Sequence, residues 1–179
     1  MEQITITTER LILRPVSTAD TSAIHDYASD KSITMMMYLP NENIDETMSF
    51  VEYAAGEWKK EEPHDREFVM VYNGKIIGGI NLESTEPSGN FEIGWTVHNK
   101  YRNQGFATEA AGALVEYAFN DLDAERVTAH CDSENKSSEA VMKKIGMKLI
   151  YSDGTRTYPK TGKISGEYMY AIEKNRLRL

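Results

Sequence analysis

The amino-acid sequence predicts an α/β fold in which a mixed sheet carries helices on its faces. Alternating apolar and polar residues mark strands, apolar residues at helical spacing mark helices, and the two kinds of segment succeed one another along the chain. The predicted order is a strand, two helices, a three-strand meander, a helix, a strand, a helix and two strands. No repeat or long linker divides the 179 residues. We therefore expect a single domain over residues 1–179.

The first half of the chain supplies a strand, two helices and a hairpin, predicted at residues 4–13, 20–29, 45–60, 68–72 and 75–82. Pro15 is expected to end the first strand because proline has no N–H for the ladder. The hairpin is the strongest local signal, since Asn73-Gly74 suits the positive backbone angles of a two-residue turn. The Met-rich segment 33–39 has neither the alternation of a strand nor the apolar spacing of a helix.

The second half supplies the rest of the sheet and two helices, predicted at residues 91–97, 108–122, 126–131, 135–145, 147–152 and 168–173. Gly146 stands where a helix needs a left-handed cap. Residues 154–166 are rich in Gly, Thr and Lys, and this composition predicts a loop between the last two strands.

Charge and cysteine content indicate which partners and which cellular compartment to expect. A net charge of −8 opposes binding to nucleic acid or to an anionic membrane, and it favours a cationic partner. With Cys131 as the sole cysteine, no intrachain disulfide is possible. Residues 1–4 lack the pattern of a secretion signal, and no apolar run reaches membrane-spanning length. We expect a cytoplasmic protein.

A candidate anion site lies between the strand at 91–97 and the helix that follows it. The turn Arg102–Ala107 contains Gly105, which lets the backbone approach a ligand closely. The first N–H groups of a helix have no partner within the helix, and its dipole favours negative charge there. By itself this pattern is equally consistent with an ordinary surface turn. Other phosphate motifs, the P-loop and the three-glycine fingerprint, are missing.

Three segments in order resemble the GNAT N-acetyltransferases. Residues 92–97 (Glu-Ile-Gly-Trp-Thr-Val) and 101–110 resemble that family's acetyl-CoA site, whose signature is Arg/Gln-x-x-Gly-x-Gly/Ala. Residues 8–15 (Thr-Glu-Arg-Leu-Ile-Leu-Arg-Pro) resemble the first strand of the branch that contains the ribosomal-protein N-terminal acetyltransferases. Asn135-x-x-Ser138 and the segment 144–147 resemble the family's later motifs. Together these matches span nearly the whole chain.

The resemblance implies a single-domain GNAT-like fold with a mostly antiparallel sheet, splayed between the strands at 91–97 and 126–131. It also implies cofactor-binding residues, which are Trp95, Thr96, Val97, Arg102, Asn103, Gln104, Gly105, Phe106, Ala107, Asn135 and Ser138. Trp95–Val97 would pair with pantetheine amides, and the turn would hold the pyrophosphate. Family members commonly have glycine at the position of Asn103, but asparagine also tolerates left-handed backbone angles.

Acetyl transfer needs a base and a donor to the leaving thiolate. The amine must lose a proton before it attacks the thioester, and Glu92 is the candidate catalytic base, acting directly or through water. A glutamate on an alternating strand is equally explained as a solvated surface residue. Many relatives use a tyrosine as the donor, but Met142 stands at that place, so Ser138 becomes the candidate. Asn135 and Ser138 are equally explained as residues that cap a helix.

The implied function is acetyl-CoA-dependent acetylation of a primary amine, either a protein N-terminus or a small molecule, in one ternary complex. Cys131 is expected to be an inert core residue rather than an acyl carrier. The four histidines show no metal-ligand spacing, so we expect no metal. The general frequency of homodimers among soluble proteins favours a homodimer. The alternative function is a non-catalytic CoA-binding sensor or interaction module. The absence of the tyrosine donor, where Met142 stands, is consistent with this alternative.

Overall fold

Eight strands in one sheet form the frame of the computed structural model, which describes residues 4–174. The predicted lack of a secretion signal rests partly on residues 1–3, which lie outside the described residues. The strands are β1 (Ile6–Thr7), β2 (Ile12–Pro15), β3 (Asp65–Tyr72), β4 (Lys75–Thr85), β5 (Asn90–Val97), β6 (Arg126–Asp132), β7 (Lys148–Thr157) and β8 (Ile164–Glu173). The α-helices are α1 (Thr21–Ala28), α2 (Ile44–Glu57), α3 (Phe106–Asp121) and α4 (Lys136–Lys144).

The sheet opens at its centre. Its strand order is β1-β2-β3-β4-β5-β6-β8-β7, and β5 with β6 is the parallel pair among otherwise antiparallel neighbours. That pair stays in register only from Asn90 opposite Arg126 to Glu92 opposite Thr128. Beyond Glu92 the two strands are no longer paired. The predicted mixed, mostly antiparallel sheet with a central splay is therefore confirmed.

Helices cover both faces of the sheet and divide the core in two. Alternation along β3 places Phe68 and Met70 in one core, together with side chains of α3 and α4. Val69, between them, joins a second core formed with α1 and α2, which includes Ile24 and Val51. The predicted layering of helices on both faces is confirmed. Among the helices of residues 4–174, none has the length and apolar composition of a membrane span.

Two predicted turns have the expected backbone. Asn73 and Gly74 join β3 to β4 with φ angles of 48° and 72°, as a two-residue hairpin turn requires. Gly146 follows α4 with a φ of 85° and so has the left-handed conformation predicted for it.

The prediction of one continuous strand over residues 4–13 is wrong. Residues 6–7 and 12–15 form two short antiparallel strands, with Ile6 opposite Leu13. Thr8 closes the turn between them, since its hydroxyl accepts a hydrogen bond from the Leu11 N–H at 2.9 Å and its own N–H donates to the Leu11 carbonyl. Such local side-chain bonds compete with an extended ladder. Pro15 is the last residue of β2, opposite Phe68, and it ends this strand as predicted.

The predicted loop at residues 154–166 is also wrong. β7 runs on to Thr157 and pairs with β8 from Gly154 opposite Glu167 to Thr157 opposite Ile164. Most side chains of β7 are exposed, because it is the edge strand of the sheet. An exposed strand needs no apolar alternation, and this explains why composition predicted a loop. Only residues 158–163 connect the two strands.

Candidate active site

The turn between β5 and α3 has an unusual backbone. Asn103 and Gly105 both adopt left-handed conformations, with φ angles of 61° and 84°. Gly105 is the N-cap residue that precedes α3, and it has no side chain with which to cap the helix. The N–H groups of the first helical turn are therefore available to a ligand, at the positive end of a 16-residue helix.

Side chains hold this turn from several directions. Arg102 donates from Nε to the Val97 carbonyl at 3.0 Å, which ties the turn to the end of β5. Gln104 donates from Nε2 to the Lys100 carbonyl at 3.1 Å. Arg10 donates from Nη1 to the Gln104 carbonyl at 3.0 Å. These bonds direct the Gln104 carbonyl toward Arg10 and fix the path of the chain into α3.

A cavity of about 580 Å³ lies beside this turn. The predicted cofactor residues that line it are Trp95, Thr96, Val97, Arg102, Asn103, Gly105, Phe106, Ala107, Asn135 and Ser138. Gln104 and Glu92 are not among the lining residues. Arg102 and Lys144 give the lining positive charge, although the protein as a whole is acidic. A concave site with several amides and two cations suits an elongated polyanion.

The start of α4 forms the far end of the cavity. Asn135 caps this helix, since its Oδ1 accepts a hydrogen bond from the Ser138 N–H at 3.1 Å. The capping explanation of Asn135 is thus confirmed, and the residue lines the cavity as well. Ser138 is half-buried, and within the described residues its hydroxyl makes no hydrogen bond. Met142 is buried in the main core.

Glu92 lies at the point where β5 and β6 separate, on the face of the sheet opposite the main core. Its Oε1 is 2.8 Å from His130 Nδ1, and the two side chains are 37% and 22% exposed. The hydrogen bond from Glu92 raises the pKa of His130 above its ordinary value, although burial acts in the opposite direction. A carboxylate and an imidazole in contact at the splay can accept and pass on a proton.

His130 belongs to a polar network that sequence reasoning did not find. Its ring centre is 6.2 Å from that of Tyr151, and the Tyr151 hydroxyl donates to Glu167 at 2.9 Å. Arg156 donates to the same carboxylate at 3.0 Å. The residues come from β6, β7 and β8. Alternation along β6 was the one usable signal, since it places His130 on the face opposite Cys131.

Cys131 is 2% exposed and lies in the main core. Burial raises the pKa of its thiol to about 11. A thiol that stays protonated is a poor nucleophile, and this supports the prediction that Cys131 carries no acyl group.

Comparison with known proteins gives the family. Residues 10–148 match the family model described as an acetyltransferase (GNAT) domain. The chain is 34% identical over 171 residues to the uncharacterized N-acetyltransferase YnaD of Bacillus subtilis, covering 93% of this chain and 95% of that one. A GNAT-family acetyltransferase structure from Bacillus anthracis superimposes with a TM-score of 0.82 at 32% identity, covering 95% of this chain and 98% of that one.

A structure of RimL, a ribosomal L7/L12 alpha-N-protein acetyltransferase in complex with coenzyme A, has the same fold. It superimposes with a TM-score of 0.81 at 18% identity, covering 95% of this chain and 98% of that one.

The fold and the matches to known proteins together define an acyltransferase. The chain belongs to the GNAT family, and it is an acetyl-CoA-dependent N-acetyltransferase.

Proposed function

We propose that this enzyme transfers the acetyl group of acetyl-CoA directly to a primary amine, either a protein N-terminus or a small molecule, within one ternary complex. One observation carries the proposal. The cavity formed by β5, the turn, α4 and residues 32–36 adjoins the unpaired end of β5, and the Glu92–His130 pair lies where β5 and β6 separate, on the face opposite the main core. An amine that enters from the Glu92 side would meet a thioester held from the cavity side.

The lining residues fit acetyl-CoA in three respects. The first-turn amides of α3 and the side chains of Arg102 and Lys144 would bind phosphates. The backbone of Trp95–Val97, no longer paired with β6, would pair with the pantetheine amides. Asn135 and Ser138 would lie near the reacting end. Acetyl-CoA supplies the electrophilic thioester carbon there.

Glu92 is the base in this proposal. Aliphatic amines are protonated near neutral pH and have no lone pair with which to attack. Glu92 would take the proton from the incoming ammonium, directly or through a water molecule, and His130 would stabilise and orient its carboxylate at 2.8 Å. Ser138, whose hydroxyl has no other partner among the described residues, would donate a hydrogen bond to the leaving thiolate.

Steady-state kinetics with a panel of small amines and N-terminal peptides test this proposal. Varying acetyl-CoA at several fixed amine concentrations should give intersecting double-reciprocal lines, as a ternary complex requires. The Cys131→Ala variant should retain activity. Parallel lines, with an inactive but folded Cys131→Ala variant, would establish a covalent intermediate instead. CoA binding without turnover on any amine would contradict the proposal.

A further inference from the structure

A row of carboxylates crosses the sheet on the same face as Glu92. Asp65 on β3 lies opposite Glu83 on β4, and Glu83 lies opposite Glu92 on β5. Glu67 follows Asp65 on the same face of β3. Like charges directly opposite each other destabilise a sheet. Burial, together with the charges of Asp65 and Glu92, raises the pKa of Glu83. Glu92 is paired with His130, and Asp65 accepts a hydrogen bond from Asn81 at 3.2 Å, whereas Glu67 has no such partner among residues 4–174.

Glu67 is the most confined of these acids. It is 9% exposed, and no group of the described residues donates a hydrogen bond to its carboxylate. Its Oε1 lies over Gly79, where an added Cβ would be 2.7 Å from that oxygen and 2.9 Å from the Tyr27 hydroxyl. The glycine therefore leaves the room that both polar groups occupy. Burial, with a contribution from Asp65, raises the pKa of Glu67 to about 8.

The distance between the acids determines whether a metal ion or an extended organic cation could bind them. Within residues 4–174 no three His, Cys, Asp or Glu side chains converge in a way that would hold a metal ion. Glu67 stands two strands away from β5, which places its Cα about 10 Å from that strand. Its side chain reaches back over Gly79 on the intervening strand. An extended organic cation can bridge this distance, but a single ion cannot.

We propose that Glu67 and Asp65 form a subsite for a second ammonium group of the acceptor, which is accordingly a diamine or polyamine with its cationic centres about 5–10 Å apart. The inference rests on the proposed function, because it takes the reacting nitrogen to lie at Glu92. The second ammonium donates charge-assisted hydrogen bonds to the Glu67 carboxylate. Any proton that Glu67 holds beforehand passes to solvent.

A matched pair of acceptors tests the subsite. The kcat/KM of the wild type for 1,4-diaminobutane should exceed that for n-butylamine by about tenfold, since a charge-assisted bond is gained. In Glu67→Gln the ratio should fall to about one, because the neutral amide keeps the shape and removes the charge. Glu116→Gln, an exposed charge change on α3, should keep the ratio of the wild type.

Three results would overturn the inference: equal kcat/KM for the two amines, an undiminished ratio in Glu67→Gln, or preferred acetylation of an N-terminal peptide. If no amine is acetylated, the proposed function fails, and calorimetry then decides the subsite. Binding of 1,4-diaminobutane to the CoA complex about tenfold tighter than n-butylamine, and lost in Glu67→Gln, would support the subsite. Equal binding of the two amines would exclude it.

Discussion

Arg10 and Glu109 join the turn between β1 and β2 to the first turn of α3. The Arg10 Nε donates to Glu109 Oε2 at 2.7 Å, and its backbone N–H donates to Oε1 of the same carboxylate at 2.7 Å. The guanidinium carbon is 4.4 Å from the centre of the Phe106 ring. The bond from Arg10 to the Gln104 carbonyl completes the arrangement. The Arg10 side chain thus contacts Gln104, just before α3, and Glu109, in the first turn of α3.

Replacing Arg10 with alanine should raise the KM for acetyl-CoA about tenfold and change kcat less, because the turn loses its alignment while the chemistry at Glu92 is untouched. Arg10→Lys should lie in between, since lysine keeps the charge but loses the two-sided geometry. Lys174→Ala, which removes an ion pair with Asp123 elsewhere, is the control. An unchanged KM in Arg10→Ala would remove Arg10 from this role.

Gly105→Ala should weaken acetyl-CoA binding and cost about 1 kcal/mol of stability, because an L-residue is strained at a φ of 84°. The new Cβ would also lie 3.3 Å from Arg10 Nη2. Asn103→Gly is the matched control, since glycine relieves rather than creates strain at a φ of 61°. Calorimetric titration with acetyl-CoA compares the two. Equal affinities for the two variants would contradict the importance of the turn.

Glu92→Gln should slow turnover about a hundredfold and remove the acidic limb of the pH–rate profile, if Glu92 takes the proton from the amine. The same change should lower the pKa of His130, because the hydrogen bond that raises this pKa comes from the Glu92 carboxylate. NMR titration of the imidazole measures this shift independently of activity. An unshifted His130 would disprove the coupling, and an unchanged pH–rate profile would disprove the catalytic role.

Glu67 should make the wild type less stable as the pH rises from about 5 to 8. Its pKa in the folded protein is about 8 against an ordinary value of 4.5, so the folded state holds one more proton in that interval. The free energy of unfolding should fall by the order of 3 kcal/mol over this range, and Glu67→Gln should lose that slope. Glu116→Gln should keep it. Denaturant titrations at several pH values measure the slope, and parallel curves for wild type and Glu67→Gln would contradict the assignment.

Local sequence signals predicted most of the sheet and the turn at Arg102–Ala107, because these features depend on short-range chemistry. Alternation set the central strands, and glycine or asparagine set the left-handed positions such as Asn103 and Gly105. The errors fell where long-range contacts decide. The turn that splits residues 4–13 is held by Glu109 on a distant helix. The outer half of β7 pairs along an exposed edge that needs no apolar pattern.

The pairing of Glu92 with His130 could be foreseen only in part. Their strands were predicted, and alternation placed each side chain on a face, but the register between β5 and β6 comes from the assembled sheet. The buried state of Glu67 depends likewise on Gly79 and Tyr27, which are far apart in the chain and meet only in the fold.

A crystal structure of the protein with acetyl-CoA tests directly whether the turn before α3 binds the diphosphate of the cofactor. We expect diphosphate oxygens within hydrogen-bond distance of the amides of Gly105–Ala107, with the thioester in the gap beyond Glu92 and near Ser138. Coenzyme bound elsewhere, or a turn whose amides point away from the diphosphate, would contradict it.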